Sequence, residues 1–144
     1  MANALPEVPN FMTGGCMCGA ARYKISEKPI VSGLCHCDRC RPQSGSAFST
    51  IIIIKRSAFS LEGETNVFED TGASGQRVGR RSCARCGSPL TTEADVAPDV
   101  MFVKAGTIDN NGWFQPAMEL FAPKRRPWVK PVAGAQQFDN NPPL

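Results

Sequence analysis

The seven cysteines of this 144-residue chain fall into three tight clusters, and this grouping restricts the possible folds more than any other feature. The clusters are Cys16-Met17-Cys18, Cys35-His36-Cys37-Asp38-Arg39-Cys40 and Cys83-Ala84-Arg85-Cys86. An odd number of cysteines argues against a secreted scaffold in which every thiol is paired in a disulfide. In a reducing compartment, clustered thiols are typical of metal binding or catalysis. The clusters therefore predict a metal-binding protein.

The sulfur ligands divide unevenly between two predicted zinc ions. Cys83 and Cys86 are three positions apart in a turn that Gly87 permits, and they form half of a tetrahedral site. The pair Cys16 and Cys18, which is also followed by a glycine, is the natural second half. The remaining cluster then offers three sulfurs. Because three protein ligands leave a tetrahedral ion one open position, this cluster predicts a catalytic zinc site.

Other assignments of the cysteines stay open from the sequence. The clusters could pair differently, because ligand assignment from spacing is inexact, and buried or redox-active thiols are a further alternative. The single histidine, His36, lies between two predicted ligands and could be a fourth ligand, a proton shuttle or a hydrogen-bonding residue. Alternation along an extended segment turns His36 away from Cys35 and Cys37, which favours the hydrogen-bonding role.

The fold class follows from turn residues and from alternating apolar segments. The chain has 13 glycines and 12 prolines, which favours many turns and short strands over long helices. We predict a mostly β, small zinc-binding domain of several short antiparallel sheets with little helix, and the length suits one compact domain. We place an N-terminal arm at 1–12, the zinc-binding β domain at 13–130 and a C-terminal tail at 131–144. The predicted strands are 20–25, 30–34, 47–54, 59–62, 66–69, 76–81, 90–93, 100–105 and 117–121.

Charge and hydropathy limit the partners of the chain. The formal charge of +3 falls to zero when seven thiolates bind two zinc ions, which weakens the case for nucleic acid. The basic run Lys124-Arg125-Arg126 lacks a series of stacking aromatics, so a solvated turn is the favoured interpretation. The N-terminus has no basic segment followed by an apolar one, and the run Ile51–Ile54 is too short to cross a bilayer. We therefore expect a cytoplasmic protein without a membrane partner, and homo-oligomerisation stays open.

The three clusters with their flanking residues resemble the signature of a known family. Gly15–Gly19, Cys35–Arg41 with Ser44-Gly45, and Cys83–Gly87 are similar to the motifs of the glutathione-dependent formaldehyde-activating enzyme family, which also includes centromere protein V. The resemblance extends over nearly the whole chain, from Gly14 to Trp128. It implies a zinc-bearing, β-rich fold of the Mss type, similar to that of small Rab-exchange chaperones.

The resemblance also implies an activity and two metal sites. A structural zinc falls on Cys16, Cys18, Cys83 and Cys86, and a second zinc falls on Cys35, Cys37 and Cys40. The founding activity of the family joins formaldehyde to glutathione and gives S-hydroxymethylglutathione. We therefore expect a zinc-dependent carbon–sulfur lyase that forms or handles an S-hydroxymethyl thiol adduct at the three-cysteine site. The alternative is a non-catalytic zinc module that binds small thiols or a protein partner.

Glutathione is anionic, so its binding site should offer cations and backbone N–H groups beside the open zinc. Arginine suits carboxylates because its donors form a planar fork. The candidate substrate-binding residues are Arg39, Arg41, Ser44 and Gly45. The loop at 71–75, rich in glycine and small residues, is a candidate flap over the site, and an ordinary hairpin connection is the alternative.

Overall fold

The computed structural model of the chain describes residues 7–142, and its regular secondary structure is mainly β-strand. The strands are Met12–Gly15 (β1), Arg22–Ile25 (β2), Val31–Cys35 (β3), Ser49–Lys55 (β4), Phe59–Glu62 (β5), Thr65–Thr71 (β6), Arg77–Cys83 (β7), Pro89–Ala94 (β8), Val100–Lys104 (β9), Met118–Leu120 (β10) and Gln136–Gln137 (β11). The helical segments are Cys40–Ser44 (α1) and short 3₁₀ turns at Arg56–Ala58, Ala105–Thr107 and Ala122–Lys124. Within residues 7–142, none of the helices has the length and apolar character that a membrane span requires. The predicted mostly β class with little helix is confirmed.

The strands form two sheets. The smaller sheet has the antiparallel order β1-β2-β5, and the larger has the order β11-β10-β3-β4-β9-β8-β7-β6. Strand β10 lies parallel to both β3 and β11, so the larger sheet is mixed rather than purely antiparallel. Strands β1 and β11 were not predicted from the sequence. Met12 lies in the segment assigned to the N-terminal arm and β11 in the segment assigned to the tail, and both belong to the sheets.

Strand β4 is buried on both of its faces. Ile52 and Ile54 pack with Tyr23 in the hydrophobic cluster that joins the two sheets. The alternate residues Ile51 and Ile53 pack on the opposite face, within the cluster that contains the three-cysteine segment. Successive side chains of a strand point to opposite faces, so a strand covered on both sides reads as a continuous apolar run. This packing explains the four consecutive isoleucines, and it places Cys35, at the end of β3, beside a strand that is covered on both faces.

Candidate functional site

Cys16, Cys18, Cys83 and Cys86 form the first sulfur cluster, which joins two distant parts of the chain. All four Sγ atoms lie within 4.8 Å of one another. The Sγ atoms of Cys16 and Cys18 are 3.6 Å apart, and those of Cys18 and Cys83 are 3.8 Å apart. Four thiolates around one zinc ion, each at about 2.3 Å, stand about 3.8 Å apart in a tetrahedron. The donor set and its spacing fit zinc, and all four thiols are free of disulfides.

Each cysteine pair of this cluster is closed by a glycine in the left-handed conformation. The φ angles are 81° at Gly19 and 77° at Gly87. The N–H of Gly19 donates to Cys16 O at 3.2 Å, and the N–H of Gly87 donates to Cys83 O at 3.0 Å. Residues with a side chain are strained at such φ angles. The two glycines therefore let each short loop turn back and present both of its sulfurs to the same side.

Hydrogen bonds favour the thiolate form of Cys16 and Cys86 in the first cluster. The N–H of Ala21 donates to Cys16 Sγ at 3.2 Å and lowers the pKa of Cys16. The Ser88 hydroxyl lies 3.1 Å from Cys86 Sγ and lowers the pKa of Cys86 to about 5. A hydrogen bond from the Ala20 backbone lowers the pKa of Cys18, but burial and the neighbouring thiols together raise it to about 11. Because thiolates rather than thiols bind metals, Cys16 and Cys86 are prepared for an ion, whereas Cys18 would lose its proton when the ion binds.

Cys35, Cys37 and Cys40 form the second sulfur cluster. Cys35 ends β3 and Cys40 begins α1, so a strand end and a helical turn bring the three Sγ atoms within 4.8 Å of one another. In residues 7–142 no histidine or acidic side chain joins this group. The N–H of Cys40 donates to Cys37 Sγ at 3.2 Å. Hydrogen bonds from the thiols of Cys35 and then Cys40 lower the pKa of Cys37 to about 2. The same contact with Cys37 raises the pKa of Cys35, and the pKa of Cys40 is raised too, so Cys37 is the sulfur of this cluster that favours the thiolate form.

A cavity of about 620 Å³ opens against the second cluster, and Cys35, Cys37 and Cys40 all line it. Its floor is one face of the larger sheet. Cys35 is aligned with Leu120 on β10, and Ile51 on β4 is aligned with Lys104 on β9. Aligned residues on neighbouring strands point to the same face, so the register brings these side chains together beside the sulfurs. The apolar part of the wall includes Ile51, Val78, Ala94, Phe102, Leu120 and Phe121.

Three of the cations that line the cavity are paired with carboxylates. Arg39 Nη2 lies 3.5 Å and Arg80 Nε 3.0 Å from the two oxygens of Asp70, which is itself largely buried. Lys124 is paired with Asp38. These ion pairs cancel most of the positive charge at the rim, so the cavity combines apolar walls with guanidinium groups that are already bound.

Lys104 is the buried cation of the cavity. The residue is 7% exposed, and its Nζ donates to the hydroxyl of Ser49 at 2.6 Å. No carboxylate of residues 7–142 forms an ion pair with it. Burial lowers the pKa of Lys104, whereas the negative charges of Cys40 and Cys35 act in the opposite direction. Lys104 thus shares the cavity with the three sulfurs, which would be thiolates with a metal ion bound.

The structure brings only part of the predicted substrate-binding set to the cavity. Arg39 lines it, whereas Arg41, Ser44 and Gly45 are not among the described residues of its wall. Arg41 donates to the backbone oxygen of His36 at 2.7 Å, and the Ser44 hydroxyl donates to a backbone oxygen within its own turn. Gly45 ends α1 with a φ of 65°. These three residues hold the shape of the segment that carries the cysteines.

His36 lies outside the sulfur cluster. Its Nε2 donates to Glu119 Oε1 at 2.7 Å, and both side chains are fully buried. Its Nδ1 has no hydrogen-bond partner in the described part of the chain. Of the three roles considered for this residue, its contacts are those of a hydrogen-bonding residue.

The predicted flap lies at the cavity. Residues 71–74, at the turn between β6 and β7, line its wall, and the N–H of Gly72 donates to Gln76 O at 2.9 Å across the turn. This hydrogen bond is that of an ordinary hairpin connection. A flap that moves over the site stays a prediction.

Sequence reasoning missed Lys104, Arg80 and Asp70 as residues of the site. One signal was available for Lys104, because it stands two positions after Phe102 and so shares the covered face of the same strand. A lysine at the end of a strand is ordinarily exposed, so its position alone does not predict a buried ammonium. Arg80 and Asp70 meet only because β6 and β7 pair, and no local pattern marks such a contact.

The fold and the two sulfur clusters define a β-sheet protein with two groups of cysteines that could each hold a metal ion, one of them at a cavity. Residues 11–124 match the family described as glutathione-dependent formaldehyde-activating enzyme, and the chain belongs to this family. The fold is similar to the crystal structure of a Rhodobacter sphaeroides protein at 16% identity and a TM-score of 0.53, with 88% of this chain and 99% of that chain covered. No curated protein sequence matches the chain.

Proposed function

We propose that this protein is a zinc-dependent carbon–sulfur lyase that forms or cleaves an S-hydroxymethyl adduct of glutathione or a related small thiol. The proposal depends above all on one observation: the three clustered sulfurs of Cys35, Cys37 and Cys40 line a cavity of about 620 Å³. Membership of the formaldehyde-activating family supports the substrate class. The proposal presupposes a reducing compartment such as the cytoplasm, in which the thiols stay reduced.

The two clusters are suited to different roles. The four cysteines of the first cluster can enclose an ion completely, which is typical of structural zinc. The three cysteines of the second cluster leave one ligand position to a molecule in the cavity. A zinc ion held by these three cysteines would have a fourth ligand position facing the cavity, and it would hold a substrate thiol there in the thiolate form.

Deprotonation of the thiol accounts for only part of the catalysis. A free thiol with a pKa of about 8.5 is a few per cent thiolate at pH 7, so full deprotonation gains about 30-fold, or about 2 kcal/mol. Part of this gain is lost because a stabilised thiolate is a weaker nucleophile. Holding the aldehyde carbon close to the sulfur contributes much more, since effective molarities reach about 10⁵ M or above. The cavity walls are the elements that would hold the aldehyde.

Arg39 is the predicted substrate-binding residue best placed to meet a carboxylate of the thiol. It lines the cavity, its side chain is 64% exposed, and its pair with Asp70 is long at 3.5 Å. Because the Arg39 side chain is exposed and this contact is long, the contact contributes little to stability, and Arg39 can turn to another carboxylate. Its planar guanidinium can bind such a group through two parallel hydrogen bonds.

A non-catalytic module that binds thiols is the second candidate. Three thiolates bring more negative charge than one Zn²⁺ ion neutralises, which weakens the ion as a Lewis acid. The ion pairs of Arg80 with Asp70 and of Lys124 with Asp38 also reduce the positive charge that is available to a reaction that develops an anion. The same cavity would then serve for binding alone.

Magnetisation-exchange NMR on free glutathione and its hydroxymethyl adduct tests the proposal. We expect the zinc-loaded protein to contain two zinc ions per chain and to accelerate the exchange. Cys40→Ser should remove one ion and abolish the acceleration. Met17→Ser is the matched control, because Met17 lies between two predicted ligands and is 85% exposed.

The outcomes separate the two candidates. Retained zinc and thiol affinity without any acceleration of exchange would support the binding module. Two zinc ions per chain in Cys40→Ser would show that the second cluster is not the metal site, and the proposed chemistry would then be wrong.

A further inference from the structure

We propose that the Lys104 ammonium binds the oxygen of the reacting C–O group, that is, the carbonyl oxygen of the aldehyde and the hydroxymethyl oxygen of the thiol adduct. This proposal rests on the proposed function and adds a named group to it. Ser49 is the positioning residue, because its hydroxyl accepts from Lys104 Nζ at 2.6 Å.

The placement of Lys104 is the first support. Lys104 and the three clustered cysteines line the same cavity. Its strand neighbour Ile51 also lines that cavity, and Cys35 lies one strand further along, aligned with Ser49. The ammonium on β9 and the sulfur of Cys35 on β3 therefore reach one cavity from the two strands that flank β4, and Cys37 and Cys40 follow Cys35 in the turn and helix after β3.

The lack of a carboxylate partner is the second support. Arg39, Arg80 and Lys124 each contact an acidic side chain at the rim, whereas Lys104 is held by a neutral hydroxyl. A buried ammonium is costly without an anionic partner, and beside the sulfur cluster the described residues give Lys104 no carboxylate. Nζ has three N–H donors and Ser49 takes one of them, so two donors remain for an oxygen in the cavity.

The reaction creates negative charge on that oxygen. When the thiol is joined to formaldehyde, a sulfur lone pair forms the C–S bond, and the C=O π pair moves onto oxygen as an alkoxide. The alkoxide then takes a proton from water and becomes the hydroxymethyl group. In the reverse direction the hydroxyl loses its proton to water, the C=O bond reforms, and the C–S pair returns to sulfur. Lys104 stays protonated throughout and donates a hydrogen bond to the oxygen, most strongly when the oxygen is charged.

A purely structural role predicts different behaviour. If Lys104 only balanced the negative charge of the three sulfurs, its removal would reduce zinc binding at that cluster. If it binds the substrate oxygen, zinc content stays at two ions per chain while recognition of the oxygen is lost. Measurements of zinc content and of oxygen recognition together therefore separate the two roles.

The first readout is the exchange rate between glutathione and its hydroxymethyl adduct in the zinc-loaded protein. We expect Lys104→Met to lower the accelerated rate about 10- to 100-fold, as for loss of a hydrogen bond to a charged group. Lys104→Arg, which keeps the charge, should recover part of the rate. The matched control is Lys55→Met, since Lys55 is an exposed lysine at the end of β4 and is paired with Glu27 outside the cavity.

The second readout does not depend on catalysis. Calorimetry compares the affinity of the zinc-loaded protein for 2-mercaptoethanol with its affinity for propane-1-thiol, which has a methyl group in place of the hydroxyl. We expect the wild-type protein to prefer the hydroxyl thiol and Lys104→Met to lose this preference about 10-fold or more while it still binds propane-1-thiol.

The possible results assign failure to one proposal or the other. If the wild-type protein accelerates no exchange but shows the hydroxyl preference and Lys104→Met loses it, the lyase proposal fails and the role of Lys104 stands. Three results would overturn the role of Lys104. They are an equal preference for 2-mercaptoethanol over propane-1-thiol in both proteins, an unchanged exchange rate in Lys104→Met, and loss of one zinc ion in that variant. Should Lys104→Met not fold, Ser49→Ala decides the question: a weakened hydroxyl preference supports the role, and an unchanged one overturns it.

Discussion

The imidazole of His36 and the carboxylate of Glu119 share a 2.7 Å hydrogen bond between two side chains that are fully excluded from solvent. Glu119 also accepts from the N–H of Val132 and from the side-chain amide of Gln137, each at 2.8 Å. Arg125 Nη2 lies 3.3 Å from the same carboxylate. The network connects the three-cysteine segment with β10 and with the C-terminal segment, and it thereby fixes the backbone on one side of the cavity.

Removing this carboxylate should destabilise the protein strongly. We expect Glu119→Ala to lower the free energy of unfolding by about 3–5 kcal/mol, because it leaves Arg125 without its buried partner. Urea denaturation of the zinc-loaded protein measures the loss. Glu62→Ala, at an exposed position of β5, is the control and should change stability by less than about 0.5 kcal/mol. Equal losses in the two variants would contradict the structural importance of the network.

The contribution of Glu119 should depend on pH in a defined window. Burial, the largest influence, raises its pKa, but the hydrogen bonds from Gln137, Val132 and His36 together lower it to about 2. The unfolded state, with a pKa of about 4.3, then binds more protons, so the contribution is complete above about pH 5 and is lost as the pH falls towards 2. The difference in stability between wild type and Glu119→Gln should shrink over that range. A difference that does not change with pH would contradict the assignment.

Metal removal should occur in two steps with different consequences. Three ligands bind an ion more weakly than four, so a chelator titration should first remove one zinc ion from Cys35, Cys37 and Cys40. Exchange activity disappears in this step, and the melting temperature changes little. Removal of the second ion breaks the link between the turn that carries Cys16 and Cys18 and the β7–β8 turn that carries Cys83 and Cys86. We therefore expect the fold to be lost. Zinc release and circular dichroism are followed in the same titration. Loss of the folded signal with the first zinc ion, before exchange activity disappears, would contradict the prediction.

Gly14 lies against Tyr23 so closely that no side chain fits between them. A Cβ at Gly14 would stand 2.2 Å from Tyr23 Oη and 2.5 Å from the backbone oxygen of Thr107. Tyr23 is 2% exposed and cannot move aside freely. We expect Gly14→Ala to cost about 1–3 kcal/mol in thermal or urea unfolding, whereas Gly112→Ala, which meets no atom within 4 Å, should be close to neutral. Similar losses in both variants would contradict the close contact.

The sequence predicted those parts of the structure that have a local signal. The strand at 59–62 coincides with β5, and the strand at 100–105 differs from β9 by one residue. The grouping of the cysteines was the favoured prediction, because Cys16 with Cys18 and Cys83 with Cys86 supply four sulfurs for a tetrahedral ion, although the spacing alone left other pairings open. In contrast, β1 contains two glycines and β11 is a pair of glutamines, so neither shows β-propensity, and both depend on their neighbours in the sheets.

The cavity could not be predicted in the same way. Its walls come from residues distant in the sequence, such as Val78, Phe102 and Leu120, which only the strand order brings together. The parallel position of β10 beside β3, which places Leu120 against Cys35, has no local signature either. Arg41 and Ser44 were expected beside the substrate because they lie near Cys40 in sequence. The short helix turns them towards backbone oxygens instead.

Asp70 holds two arginines of the cavity rim, and its removal should change the preference for anionic thiols. In Asp70→Asn the guanidinium groups of Arg39 and Arg80 lose the carboxylate that they share at 3.5 and 3.0 Å. The freed cations can then bind carboxylates of the substrate, so we expect KM for the glutathione adduct to fall about 10-fold while KM for the uncharged 2-mercaptoethanol adduct changes little. Asp99→Asn makes the same change in net charge outside the cavity and should leave both values unchanged. Since the Arg39 side chain is 64% exposed and its new contact is electrostatic, raising the salt concentration should reduce the gain. An equal effect on both substrates would show that Asp70 shapes the cavity and does not control its charge.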